Sequence, residues 1–153
     1  MTRPIAARRD EFPLFMRLST RWSDNDAYGH VNNALYHHYF DAAVNRMLIE
    51  GGALDPVNSL EIGLVVESSC TWFASLKYPE DVEIGLSLLQ LGRSSVTYRL
   101  GAFAPLAPSA AAVARYTHVY VNRHSNRPVP VPDMVRSLLA PLAITHAQTL
   151  PTA

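Results

Sequence analysis

The stretch at residues 33–49 constrains this chain most. It contains no Pro or Gly and is closed by Gly51 and Gly52, which reads as a helix with a glycine stop. Its polar residues His37, Asp41 and Asn45 recur every fourth position, with His38 beside them. Leu35, Tyr39, Phe40, Val44, Met47 and Leu48 fill the rest of the circumference. A helix that is apolar over most of its surface has to be buried. Its single polar stripe implies a second surface, either a subunit contact or a pocket wall.

The cover for such a helix has to come from elsewhere in the chain. Leu14, Met16, Leu18, Thr20 and Trp22 alternate with Phe15, Arg17, Ser19 and Arg21, and this period of two predicts a first strand. Residues 23–29 break it with Asp, Asn and Gly, which is turn chemistry. Four strand-like segments follow the helix, at residues 62–73, 81–91, 94–103 and 111–122. The short turns between the last three predict antiparallel hairpins. A Pro-rich segment comes next. Asp133 is the expected N-cap of a short C-terminal helix that Pro141 interrupts, the whole tail spanning 124–147. The order predicts one α+β domain over 1–153, with its core at about 14–123. Its architecture is one long central helix wrapped by a curved antiparallel five-stranded sheet.

Composition narrows the function classes. In 153 residues, 13 Lys+Arg balance 13 Asp+Glu, so there is no broad basic surface for nucleic acid. No apolar run approaches the ~20 residues that span a bilayer, so no membrane partner is expected. The first residues carry Arg3, Arg8, Arg9, Asp10 and Glu11 without an apolar run, unlike a secretory signal. A lone cysteine, Cys70, forms no internal disulfide, and a reducing cytoplasm is the expected location. Zero net charge also weakens repulsion between copies and favours self-association.

Chemistry concentrates just before the helix. Asp24, Asn25, Asp26, His30, Asn32 and Asn33 place two carboxylates, an imidazole and three amides in a short span. A helix start carries unpaired N–H groups and partial positive charge, which polarise a carbonyl and hold a developing oxyanion. A carboxylate beside it attacks that carbon or activates water. This is acyl-transfer chemistry, with no metal and no organic cofactor expected. Asp24-x-Asp26-x-x-Gly29 half-matches a calcium loop, but Tyr28 and Leu35 fall where oxygen ligands are required. His30, His37 and His38 follow no known zinc spacing. An aspartate before a helix is equally a cap, and these residues alone do not choose between Asp24 and Asp26. In the next strand Glu67 shares a face with Val65 and Ser69 by simple alternation, which would let it line a site. Tyr36, Tyr39, Phe40, Trp72 and Phe73 are candidate pocket walls and equally candidate core.

The run Trp22-Ser-Asp-Asn-Asp26-Ala-Tyr28-Gly29-His30-Val-Asn32-Asn33-Ala-Leu-Tyr36 resembles the hotdog-fold acyl-CoA thioesterases, in the branch of 4-hydroxybenzoyl-CoA thioesterase and its relatives. Later pieces follow in the expected order: Tyr78-Pro-Glu-Asp81, Leu91-Gly-Arg93-Ser94-Ser95-Val96, His118-Val-Tyr-Val121 and Arg127-Pro-Val-Pro-Val-Pro132. The resemblance implies a hotdog fold and hydrolysis of an acyl-CoA, with Asp26 as nucleophile or general base. It implies that the backbone N–H near Asn33 polarises the thioester carbonyl, and that His30 or Asn32 orients the carboxylate or the water. Tyr36 would bound the substrate, and the turn Arg93-Ser94-Ser95 matches the position where relatives bind CoA phosphates. A homodimer or dimer of dimers, with the site between subunits, is also implied. Plant acyl-carrier-protein thioesterases share the His-Val-Asn-Asn run but place Asn where this chain has Tyr28, which favours the CoA branch. The alternatives are a thioesterase acting on acyl-carrier protein and a non-catalytic binder of acyl-CoA or an aromatic acid.

Overall fold

A computed structural model describes residues 3–144; the far end of the expected C-terminal helix lies outside the described residues. The chain runs through a 3-10 turn at Arg9–Glu11, strand β1 (Leu14–Leu18), a second 3-10 turn at Trp22–Asp24 and helix α1 (Asn33–Glu50). Strands β2 (Glu61–Trp72), β3 (Val82–Leu91), β4 (Ser95–Phe103) and β5 (Ala112–Asn122) follow. Helix α2 (Asp133–Leu139) and a 3-10 turn at Ala140–Leu142 end the described chain. The strands form one antiparallel sheet in the order β1-β3-β4-β5-β2, with both expected hairpins present. The edges of the sheet are β1 and β2.

Helix α1 is 18 residues long, about 27 Å at 1.5 Å per residue. It buries Tyr36, Tyr39, Phe40, Ala43, Val44, Met47 and Leu48. Against them stand Val96, Tyr98, Leu100 and Ala102 of β4 and Ala112, Ala114, Tyr116 and Tyr120 of β5, as the period of two requires. At the C-terminus, Gly51 donates its N–H to the Met47 carbonyl at 2.9 Å. Leu138 of α2 packs so closely over Gly51 that a Cβ there would lie 2.6 Å from it. The opposite face of the sheet carries a smaller cluster, Ala7, Phe12, Phe103 and Ala110.

Three expectations need correction. β1 stops at Leu18, although the alternation continues to Trp22. Beyond it the Thr20 hydroxyl donates to the Glu80 carbonyl at 2.8 Å, the chain turns, and Trp22 is 83% exposed. Asp133 is the first residue of α2 and makes no capping bond; Pro132 occupies the N-cap. The third concerns Glu67. A bulge in β2 sets Val65 opposite His118 and Glu67 opposite the adjacent Thr117, leaving Val66 unpaired. The extra residue reverses the alternation, so Val65 shares the helix-facing side with His118 while Glu67 and Ser69 lie on the other side.

Candidate active site

The loop before α1 is fixed by Asp24. Its Oδ2 accepts the Tyr39 hydroxyl at 2.6 Å and the Arg21 N–H at 2.9 Å, and its Oδ1 accepts Arg21 Nε at 3.0 Å. Burial pushes this carboxyl up, but the bonds from Tyr39 and Arg21 outweigh it and hold the group below its ordinary value. The Asp24 carbonyl accepts the Asn32 N–H at 2.9 Å, and the Leu76 carbonyl accepts the Val31 N–H at 2.8 Å. Asn25 ties the loop to the β2–β3 connection through the Tyr78 N–H at 3.1 Å.

Within this frame residues 26–30 form a tight turn. Asp26 N–H donates to the His30 carbonyl at 2.9 Å, and Gly29 N–H to the Asp26 carbonyl at 3.0 Å. Gly29 has φ +81°, in the left-handed region that favours glycine. The Asp26 side chain accepts the Tyr28 N–H at Oδ1, 2.9 Å, and its other oxygen has no partner among the described residues. The two aspartates are thereby separated: Asp24 is consumed as an anchor, and Asp26 presents a free carboxylate oxygen.

Asn32 caps α1, its Oδ1 accepting the Ala34 N–H at 3.0 Å. Its carbonyl accepts the Leu35 N–H at 2.9 Å. The Asn33 N–H, at the first helical position, has no partner among the described residues. Asp26, His30, Asn32, Asn33 and Tyr36 all line one open cleft of about 660 Å³. The sequence did not single out its other wall beyond Trp72 and Phe73, namely Ala74 and Ser75. These two follow β2 and are placed by the Ala111 carbonyl, which accepts the Phe73 and Ala74 N–H groups. Tyr36 is buried and meets Trp72 edge to face at 6.0 Å. Tyr39 and Phe40 belong to the core.

A profile of the thioesterase-like superfamily matches residues 20–139. The chain belongs to that superfamily. It is similar to the PA5185 protein of Pseudomonas aeruginosa, with 46% identity, 92% of this chain and 99% of that one covered, and a TM-score of 0.90. A second P. aeruginosa protein, PA2801, described as a candidate thioesterase, is 30% identical over 82% of this chain and 97% of its own, with a TM-score of 0.76. A 1,4-dihydroxy-2-naphthoyl-CoA thioesterase of Synechocystis shares the fold, with 15% identity, 82% and 93% coverage and a TM-score of 0.70. No curated protein matches. The α+β architecture, a helix on a five-stranded antiparallel sheet, is the hotdog arrangement of the thioesterase-like superfamily.

In this thioesterase-like chain the remaining site candidates fall elsewhere. Arg93 and Ser94 lie in the β3–β4 turn and Ser95 opens β4; Arg136 braces the turn by donating to the Gly92 and Arg93 carbonyls. Register places that turn beside Val119, at the end of the sheet opposite Trp72, Ala112 and the cleft. Glu67 lies on the sheet face away from α1, 3.7 Å from Arg115. The polar stripe of α1 is satisfied along β2 and β5: His37 meets the Ser68 hydroxyl at 2.6 Å, and Asp41 accepts from the Tyr116 hydroxyl. Among the described residues, no helix is long and apolar enough to cross a membrane.

Proposed function

We propose that the chain is an acyl-CoA thioesterase that converts acyl-CoA and water into a carboxylate and CoA. The observation that carries this reading is the cleft itself, lined both by Asp26, which has one carboxylate oxygen free, and by Asn33, whose N–H is unpaired. The thioester carbonyl oxygen accepts from the Asn33 N–H, helped by the partial positive charge of the helix start. Asp26 then takes a proton from water as the water adds to the carbonyl carbon, or adds to that carbon itself. In the first route CoA leaves as thiolate and takes the proton from Asp26, and the acyl group departs as carboxylate. In the second CoA leaves an Asp26–acyl anhydride, which water then cleaves to release the carboxylate, free Asp26 and the proton that the thiolate takes. His30 and Asn32, which line the same cleft, orient the carboxylate or the water.

The working unit is a homodimer joined along β2. That strand is a 12-residue edge with Leu64, Val65 and Val66 exposed. A long apolar edge needs a partner. Antiparallel pairing of two β2 edges brings the partner's β3–β4 turn to the end of the sheet that holds Asp26. There the guanidinium and N–H groups of that turn meet the CoA phosphates. This answers the separation of the turn from the cleft within one chain.

A thiol-release screen over short, long and aromatic acyl-CoAs tests the reading. Saturable CoA release with at least one of them is expected. Binding without thiol release would instead make the protein a non-catalytic acyl binder, and activity confined to acyl-carrier-protein thioesters would replace CoA as the carrier.

A further inference from the structure

The sheet face away from α1 takes no part in the chemistry above, yet it carries an unusual row. Ser87 of β3, Arg99 of β4, Arg115 of β5 and Ser69 of β2 stand directly opposite one another in register. Two arginines at opposed positions repel, an arrangement sheets avoid unless something relieves it. The Arg99 side chain is only 5% exposed. Its guanidinium lies over the Phe12 ring, 5.2 Å from the centroid.

Each arginine has one acid nearby as an ion pair, and neither pair is a hydrogen bond. Glu11 Oε1 lies 3.6 Å from Arg99 Nη2, and Glu67 Oε1 lies 3.7 Å from Arg115 Nε. Both are too long for hydrogen bonds, and the other Glu11 oxygen is held by the Arg8 N–H. Arg99 Nε and Nη1 are buried with no hydrogen-bond partner among the described residues. Buried guanidinium donors without an acceptor are costly and rare.

A cavity of about 220 Å³ opens onto this row; Arg99, Arg115, Ser69 and Thr71 are its polar lining, and the rest is apolar, with Pro4 and Ile5 of the N-terminal segment as one wall and Phe73 shared with the cleft. We propose that this cavity is a binding site for a small oxyanion, a phosphate or carboxylate group held between Arg99 and Arg115. The planar fork of each guanidinium suits either anion. The Ser69 and Thr71 hydroxyls supply further donors at the rim, and the anion would give the guanidinium groups the hydrogen bonds that Glu11 and Glu67 do not. The site is separate from the cleft and stands or falls independently of thioester hydrolysis.

Calorimetric titration of the full chain with sodium phosphate, and separately with sodium succinate, at ionic strength held constant with sodium chloride, tests the site. One anion per chain is expected to bind saturably, the phosphate and succinate arms showing which group is preferred. Arg115→Gln, at a half-exposed position, is expected to fold as the wild type does by circular dichroism, to keep any thioesterase turnover, and to weaken anion binding at least 10-fold. Arg99→Lys, which keeps the charge and loses the fork, is expected to weaken it as well. Absence of saturable binding by both anions, or undiminished binding in Arg115→Gln, would overturn the proposal.

Discussion

Asp24 and Asp26 differ in what surrounds them, and that difference predicts different losses. Asp24→Ala removes the acceptor of the buried Tyr39 hydroxyl and of two Arg21 donors. It is expected to cost about 2–3 kcal/mol in chemical denaturation, the range for a hydrogen bond to a charged group. Asp26 makes one exposed bond to the Tyr28 N–H, so Asp26→Asn is expected to cost under ~1 kcal/mol. Acid stability brings in one further group, His118. Burial pushes the His118 imidazole down to about 4, with the Asp41 carboxylate opposing. Unfolded, that histidine titrates near 6.5, so between these values the unfolded chain binds the extra proton and stability falls as pH falls. The loss reaches up to about 3 kcal/mol by pH 4. His118→Gln is expected to flatten stability across that window when unfolding is followed against pH. The depressed Asp24 carboxyl contributes stability above its unfolded value, lost on further acidification.

At the scale of elements, the helix was legible because composition alone demanded its burial; its expected end at residue 49 differs from the observed Glu50 by one position. The four later strands were legible for the same reason, each bounded by Pro, Gly or polar turns. The first strand was overextended because alternation says nothing of the Thr20–Glu80 bond that turns the chain. The face of Glu67 was illegible because the β2 bulge is set by its pairing with β5, a contact between distant segments. The cleft was legible on its loop side, from Asp26 to Tyr36. Ala74 and Ser75 were not, since nothing in small residues after a strand announces a wall. Gly29 tests the loop as an element. Gly29→Ala is expected to cost about 1–2 kcal/mol for its positive φ, and to reduce turnover because the turn at 26–30 aims Asp26. A variant with wild-type stability and rate would contradict that role of the turn.

For the whole molecule, the proposed dimer along β2 would make assembly and activity one property. A charge at the exposed Val66, in the middle of the edge, disfavours pairing of two strands there. Val66→Asp is expected to shift the mass measured by light scattering toward the monomer and to reduce thiol release with it, since Arg93 and Asp26 lie at opposite ends of one chain's sheet. A fully active monomer would contradict the shared site. Turnover is assigned to the free oxygen of one carboxylate and one unpaired N–H in the same cleft. The most direct measurement is therefore the steady-state rate of CoA release by Asp26→Asn, on whichever acyl-CoA the wild type hydrolyses best, with fold confirmed by circular dichroism. The expected result is a native spectrum with turnover reduced at least about 100-fold, the lower end of what a positioned acid–base group contributes. A natively folded Asp26→Asn protein that turns over at the wild-type rate would contradict the account.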